Sequence, residues 1–167
     1  MTSDNANPLA LAMDAWLPGC DFGVMAHGFA DHGRDYEFII ENNIGGDTGT
    51  HRLTFTHVVS LRYETAVADE FLRQSWDDRF IDFEAYKAAG EPEGYLWWYN
   101  WSCAWPGLKA PDSTPDSLRW TEKLGKSMYE MSIATDRFLM TMIFHDLRTQ
   151  KLSPDAPTIS RSVIPLG

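Results

Sequence analysis

A stretch rich in tryptophan and tyrosine, residues 95–105, places the strongest constraint on the fold of this chain. In an extended strand, alternate side chains point to opposite faces. One face of this stretch would carry Tyr95, Trp97, Tyr99, Trp101, Cys103 and Trp105. A helix would spread these rings around its whole circumference, and Trp and Tyr favour strands. The stretch therefore predicts a central β-strand with one buried, aromatic face.

The size and composition of the chain predict one folded domain. It has 167 residues, of which 44% are hydrophobic and 13% aromatic, which is enough to build a real core. We expect a single β-rich domain over residues 15–150. A flexible arm would precede it over residues 1–14, and a tail over residues 151–167 could add an edge strand.

Period-two alternation of hydrophobic residues predicts several further strands. They cover residues 20–29, 35–42, 52–63, 127–135 and 137–146. The third strand alternates most cleanly and could bend near Val58 and Val59. Short helices are expected between residues 67 and 90, and another, capped by Asp116 or Ser117, should end at Gly125. The sum is a mainly β (α+β) fold, an antiparallel β-sandwich or rolled sheet of five to seven strands with short helical insertions.

The charge and hydropathy of the chain narrow the classes of partner. The net charge is −10, and the 14 basic residues are scattered among 24 acidic ones. Nucleic acid requires clustered Lys and Arg, so we predict no nucleic-acid partner. No apolar run reaches the roughly 18 residues that a membrane helix needs, so no membrane partner is predicted. The polar start of the chain lacks the pattern of a signal peptide, and we expect a cytoplasmic location.

Sequence motifs for catalysis are not found. The chain contains no phosphate-binding loop, no G-x-S-x-G nucleophile elbow and no H-E-x-x-H zinc motif. Cys20 and Cys103 could be paired or free, and a reducing cytosol favours two small buried thiols. We therefore assign no catalytic residue and no cofactor, and expect a protein that is not an enzyme.

A group of potential metal ligands surrounds the first predicted hairpin. It contains residue types that zinc sites use: Asp21, His27, Asp31, His32 and Asp35. The alternation of the first strand places His27 on the face opposite Val24. The other interpretation is a turn that is polar because it is exposed, so no metal site is assigned.

Two histidines lie inside well-patterned strands and are candidates for a ligand or partner site. His57 falls in the apolar phase of its strand, and His145 lies in the last strand in phase with Leu139, Thr141 and Ile143. A histidine in such a position is either a hydrogen-bonded core residue or a functional group. A position near Asp146 or Glu130 would favour the functional interpretation.

Two aromatic segments supply the remaining candidates for binding. Trp98 and Asn100 lie on the second face of the Trp-rich strand, and Trp76 stands beside Asp77 and Asp78. Exposed flat rings bind sugars, nucleobases or peptides because they stack with little loss of entropy. The charges beside Trp76 suit either a salt-bridged helix end or a contact patch.

The order of these segments resembles a known family. The likeness rests on four segments: a turn at residues 19–21, a strand with Leu-Thr-Phe-Thr-His-Val-Val at 53–59, an aromatic strand ending in Trp-Pro-Gly at 105–107 and a last strand at 138–147. It is similar to the YxiG-like group of small bacterial proteins over about residues 15–150, and more loosely to β-rich immunity proteins of polymorphic toxin systems. The resemblance carries over no activity, and it implies a protein that acts by binding in a toxin–immunity neighbourhood.

These observations lead to one predicted function and one alternative. We predict a non-catalytic protein-binding module, in its most specific form an immunity-type inhibitor, that presents an acidic, aromatic patch to a basic protein such as a toxin. The alternative is a sugar- or nucleotide-binding protein or enzyme with a pocket lined by the Trp-rich strand. A further alternative is a homo-oligomer whose interface buries the surplus aromatic surface.

Overall fold

The computed structural model describes residues 6–30, 33–67, 69, 83–90 and 102–153, which form two antiparallel sheets and three helices. The strands are β1 (Gly23–Phe29), β2 (Tyr36–Asn42), β3 (Gly49–Thr56), β4 (Ser60–Thr65), β5 (Ser102–Cys103), β6 (Gly107–Lys109), β7 (Tyr129–Ala134), β8 (Phe138–Phe144) and β9 (Asp146–Lys151). The helices are α1 (Pro8–Ala15), α2 (Phe83–Ala88) and α3 (Pro115–Leu124). The five-stranded sheet has the order β5-β1-β2-β3-β9, and the four-stranded sheet has the order β4-β8-β7-β6. The predicted mainly β fold is confirmed, with nine strands in the described residues rather than five to seven.

The hydrophobic core lies between the two sheets. On β8 the residues Phe138, Met140, Met142 and Phe144 are buried and belong to this core, as the alternation of the sequence predicts. Phe55 of β3 meets Phe144 edge to face, with ring centroids 4.9 Å apart. Burying each such side chain contributes about 1.5–3 kcal/mol, so the contact between the sheets stabilises the fold by several kcal/mol.

A bent two-stranded ribbon connects the sheets. β3 pairs with β9 in one sheet, and β4 pairs with β8 in the other. Between the pair Thr56–Asp146 and the pair Ser60–Ile143, three residues of one strand lie opposite two of the other. This is a β-bulge, and bulges of this kind allow strands to turn from one sheet into the next.

The prediction of one strand over residues 52–63 is therefore wrong. β3 ends at Thr56, and β4 begins at Ser60 in the other sheet. His57 between them has a φ angle of +51°, which no strand residue adopts. The bend expected near Val58 and Val59 marks the place where the chain changes sheets. β9 was not predicted as a separate strand, because its residues are mostly exposed and do not alternate in hydrophobicity.

Only the end of the Trp-rich stretch falls within the described residues. Ser102 and Cys103 form β5, which lies at the end of the five-stranded sheet among its described strands, so this part is not a central strand. Trp105 is 61% exposed, which contradicts its predicted place on a buried aromatic face. The reason is a turn that carries the chain into β6, where the Leu108 amide donates to the Gly19 carbonyl. Residues 95–101 lie outside the described part.

The described portion of the predicted flexible arm is a packed helix. Asn7 caps α1 by accepting a hydrogen bond from the Leu9 amide at 3.0 Å. Its own amide donates to the carbonyls of Pro111, at 3.1 Å, and Glu130, at 2.9 Å. Asn7 and Leu9 are both fully buried. These contacts attach residues 7–15 to the body of the domain.

The predicted stop signals of the helices are confirmed. α3 ends at Gly125, which has a φ angle of +64°, and α2 is followed by Gly90 with a φ angle of +84°. The N-cap of α3 is Thr114 rather than Asp116 or Ser117. Thr114 and Ser117 exchange hydrogen bonds in a capping box, which satisfies amides at the start of the helix.

None of the described helices has the length and apolar character needed to cross a membrane. The edge strand that the tail over residues 151–167 could add, at residues 158–164, lies outside the described part.

Candidate functional site

The structure describes two of the predicted binding residues and brings them together. His57 and His145 lie with their ring centroids 5.6 Å apart and their planes nearly perpendicular, at 85°. The other predicted binding residues fall outside the described part of the chain: Trp76, Asp77, Asp78, Trp98 and Asn100. The roles assigned to them stay predictions.

The histidine pair occupies the corner where the ribbon passes from one sheet to the other. The His57 amide donates to Asp35 Oδ1 at 3.0 Å, and the His145 amide donates to the Thr56 carbonyl at 2.9 Å. His145 Nδ1 lies 2.8 Å from the Ser127 carbonyl, so this nitrogen carries the proton. Hydrogen bonds to the Asp35 carboxylate and to two backbone carbonyls therefore hold the two histidines at the corner.

The surroundings of His57 favour its neutral form. Loss of solvent is the largest influence that lowers its pKa, and the charges of Lys126 and Arg34 and the ring of His145 act in the same direction. Asp35 acts against them. His57 Nδ1 is buried and has no hydrogen-bond partner among the described residues. The surroundings thus favour an uncharged ring.

The carboxylates that would have made the pair an acid–base site are engaged elsewhere. Asp146 Oδ1 accepts from the Leu147 amide at 2.8 Å, and Glu130 Oε2 accepts from the Thr114 hydroxyl at 2.6 Å. The two histidines contact each other and the backbone instead. The geometry favours the structural interpretation of His57 and His145.

A second cluster, which the sequence did not reveal, lies at one end of the sandwich. We call it the aromatic end cluster, and its members are His27, Phe29, Tyr36, Tyr63 and Phe138. His27 Nδ1 lies 2.7 Å from the Tyr36 hydroxyl oxygen. Tyr63 stacks on Phe138 with centroids 5.2 Å apart and planes 22° apart, and Phe29 meets Tyr36 edge to face at 4.9 Å. Four strands, β1, β2, β4 and β8, supply these side chains.

The aromatic end cluster consists of buried rings that support two rings open to solvent. Phe138 and Tyr36 are 1% and 5% exposed, whereas Tyr63 and Phe29 are 50% and 48% exposed. Large apolar side chains that stay half exposed on an ordered support are a typical feature of binding surfaces.

The polar groups of the cluster are neutral near pH 7. Burial lowers the pKa of His27, so its imidazole is uncharged. Burial also raises the pKa of Tyr36 to about 12, and the neighbouring Tyr63 adds to this effect. The hydrogen bond between His27 and Tyr36 therefore joins two uncharged groups.

The position of His27 differs from the one that strand alternation predicts. The register of β1 against β2 shifts between Val24 and Ala26, so His27 lies on the same face as Val24 and turns into the core. Asp21 instead accepts a hydrogen bond from the Cys20 thiol at 3.4 Å, and His32 lies outside the described part. Within the described residues, no three His, Cys, Asp or Glu side chains form a group that could hold a metal ion.

The two cysteines are free thiols, each partly rather than fully buried. The neighbouring Asp21 raises the pKa of the Cys20 thiol through a hydrogen bond, with smaller effects of burial and charge. Burial and the carboxylate of Asp136 raise the pKa of Cys103. Both thiols are consequently held in the protonated, less reactive form.

A third feature is a polar cleft on the outer face of the four-stranded sheet, which we call the outer cleft. It has a volume of about 210 Å³ and is lined by Ser60, Arg62, Asp116, Glu130, Thr141 and Ile143. β4, β7 and β8 provide its floor, and the first turn of α3 provides Asp116. The alternate residues of these strands form the core, so the lining side chains point away from it.

Comparison with known proteins identifies the family of the chain. No curated protein matches it. A family model described as YxiG-like protein matches residues 5–161, which is nearly the whole chain. This agrees with the resemblance in the order of the strands, whereas the looser likeness to immunity proteins stays a prediction. The chain belongs to the YxiG-like protein family.

Proposed function

We propose that this protein is a non-catalytic binding module that recognises a basic protein partner through the aromatic end cluster. The observation that carries the proposal is the pair of half-exposed rings, Phe29 and Tyr63, which pack against the buried rings of Tyr36 and Phe138. Aromatic anchors of this kind contribute a large share of the energy at protein interfaces.

The exposed rings are ordered before any partner arrives. Tyr63 is stacked against Phe138, and Phe29 packs edge to face against Tyr36. Side chains that are already confined lose little conformational entropy on binding, so more of the contact energy is available for affinity. This favours a recognition surface over an incidental exposure of hydrophobic residues.

The charge of the molecule selects the kind of partner. A net charge of −10 attracts basic proteins and repels acidic ones, and it speeds the encounter at low ionic strength. Glu64, which follows Tyr63, is exposed. Arg137 lies close enough to Tyr63 to oppose the rise that burial causes in the pKa of the phenol. The local charge is thus mixed, and the attraction comes from the molecule as a whole.

The histidines support a role without catalysis. His27 is hydrogen-bonded within the aromatic end cluster, and His57 and His145 form the corner of the ribbon. The finer form of the proposal is an immunity-type inhibitor that acts on a basic toxin in the cytoplasm. Its support is the acidic charge together with the looser resemblance described above.

The test is a capture experiment with matched surface variants. The immobilised protein is exposed to a lysate of the source cells, and retained proteins are identified by mass spectrometry. Tyr63→Ser and Phe29→Ser remove the exposed rings. Leu11→Ser is the control, because Leu11 is similarly exposed, at 56%, but lies on α1. Circular dichroism verifies that each variant is folded.

We expect a basic protein that the wild type and the Leu11 variant retain, and that both aromatic variants lose. Raising the salt concentration should release it, because screening weakens the attraction between the charges. Retention that is equal in all variants would show that another surface is used. A wild-type protein that captures nothing at any salt concentration would refute the proposal.

The alternative function is a sugar- or nucleotide-binding protein or enzyme. Its predicted pocket depends on Trp98 and Asn100, which lie outside the described residues. Thermal unfolding in the presence of sugars and nucleotides tests it, because a ligand that binds only the folded state raises the midpoint. A shift with such a ligand, together with no captured protein, would favour the alternative.

A further inference from the structure

The pairing of the strands places opposite charges on the two walls of the outer cleft. Ser60 and Glu130 both pair with Ile143 of the strand between them, and Arg62 pairs with Thr141 in the next row. Neighbouring strands lie about 4.8 Å apart and each residue advances about 3.4 Å along its strand, so the backbones of Arg62 and Glu130, two strands and one row (two residues) apart, are separated by about 12 Å. A basic wall and an acidic wall therefore face each other across the width of one strand.

The acidic wall has one side chain that is held in place. Glu130 Oε2 accepts a hydrogen bond from the Thr114 hydroxyl at 2.6 Å, and Thr114 is itself the N-cap of α3. Asp116 Oδ1 forms an ion pair with Arg119 at 3.1 Å, in which both side chains are exposed. Exposed pairs of this kind are weak, so Asp116 can still interact with a cation in the cleft.

The basic wall is formed by Arg62 of β4. Arg62 is exposed and forms no ion pair with any carboxylate of the described residues. In particular, it does not reach across to Glu130 or Asp116. The positive and negative groups stay apart, and the space between them is the 210 Å³ volume of the cleft.

This arrangement defines the charge of a suitable ligand. A purely anionic molecule would be repelled by two carboxylates, and a purely cationic one by Arg62. A molecule that carries both charges can satisfy both walls with charge-assisted hydrogen bonds. Ser60 and Thr141 add hydroxyl groups, and Ile143 adds an apolar floor.

The volume limits the size of the ligand. Pockets for drug-sized molecules have about 300–1,000 Å³, so a cleft of about 210 Å³ suits a smaller one. We infer that the outer cleft binds a free α-amino acid, with its carboxylate at Arg62 and its ammonium group at Glu130 and Asp116. This site shares no residue with the aromatic end cluster, so it is independent of the proposed protein-binding function.

The test uses free amino acids as probes of the intact chain. Each is added at millimolar concentration while thermal unfolding is followed, and any that raises the midpoint is then titrated by calorimetry. We expect at least one amino acid to stabilise the folded protein. Propionate, propylamine and the N-acetyl amide of the bound amino acid, which lack one or both charges, should bind far more weakly.

Three variants connect the binding to the cleft. Arg62→Gln and Glu130→Gln should each weaken binding by about tenfold or more, because each removes a charged hydrogen bond. The Gln at position 130 still accepts a hydrogen bond from the Thr114 hydroxyl, so the fold is preserved. Arg148→Gln is the control, since Arg148 is exposed on β9 of the other sheet, and its affinity should equal that of the wild type.

Several results would overturn the inference. One is the absence of any stabilising amino acid in the wild type. Another is binding of propionate or propylamine as tight as that of the amino acid, which would indicate a simple ion site. A third is an unchanged affinity in the Arg62 and Glu130 variants, which would place the ligand elsewhere.

Discussion

Replacement of Gly107 by alanine tests the turn that carries the chain from β5 into β6. Gly107 has a φ angle of +92°. A Cβ atom there would lie 2.0 Å from the Gly19 carbonyl oxygen and 2.8 Å from Cys20 Cα. Both atoms belong to the backbone, so no side-chain rotation can relieve the overlap. The Leu108 amide donates to the same Gly19 carbonyl, which ties the two segments together.

The expected loss of stability has two parts. The unfavourable φ angle costs a residue with a Cβ atom about 1–3 kcal/mol. Displacing packed backbone to make room for the methyl group costs about a further 1–3 kcal/mol. Gly107→Ala should therefore reduce the free energy of unfolding by about 2–6 kcal/mol, which is a large part of the 5–15 kcal/mol typical of a domain.

Urea unfolding followed by tryptophan fluorescence measures this loss, and two other glycines provide controls. Gly125 has a φ angle of +64° but open space around it, so Gly125→Ala isolates the backbone strain, about 1–2 kcal/mol. Gly46 has open space and no positive φ, so Gly46→Ala should change little. If Gly107→Ala costs no more than Gly125→Ala, the close approach of Gly19 to Gly107 is refuted.

Three further predictions follow from the described sites. In urea unfolding, His57→Gly should leave the free energy of unfolding nearly unchanged, whereas His57→Val should lower it by at least about 1 kcal/mol. The reason is that a β-branched residue does not tolerate the φ angle of +51°. Equal effects of the two substitutions would contradict a structural role at the corner. Burial holds the pKa of folded His27 below its unfolded value of about 6.5, so the unfolded chain takes up this proton first and stability should fall as the pH drops below that value. In the variant His27→Gln the melting midpoint should depend less steeply on pH. A profile identical to that of the wild type would show that His27 is not responsible. Thr114→Ala removes the bonds to the Ser117 amide and to Glu130, and should cost about 1–2 kcal/mol, while a loss below about 0.3 kcal/mol would show that the cap is dispensable.

The alternation of hydrophobic residues was sufficient to predict the class of fold. On β8 the residues from Phe138 to Phe144 alternate because one face meets the core, and this requirement is local to the strand. The end of α3 was predictable for a similar reason, since Gly125 adopts a left-handed conformation that most residues avoid. β9 was not predicted, because it is mostly exposed and no buried face requires its hydrophobic residues to alternate.

The candidate binding sites were much less predictable. His27, Tyr36 and Tyr63 are distant in the sequence, and their meeting depends on the register shift in β1 and on the bend of the ribbon at His57. A single shifted residue exchanges the faces of a strand. For that reason the sequence placed His27 opposite Val24, and the aromatic end cluster did not emerge.

The sequence by itself determined that the chain forms antiparallel strands with an apolar side, where α3 ends and that the molecule carries a net charge of −10. These properties depend on each residue and its near neighbours. Only the tertiary structure decided which strands share a sheet, where the ribbon bends, and that Arg62 and Glu130 face each other across a cleft. Such pairings join residues far apart in the chain, and they are selected by how the whole core packs rather than by any local pattern.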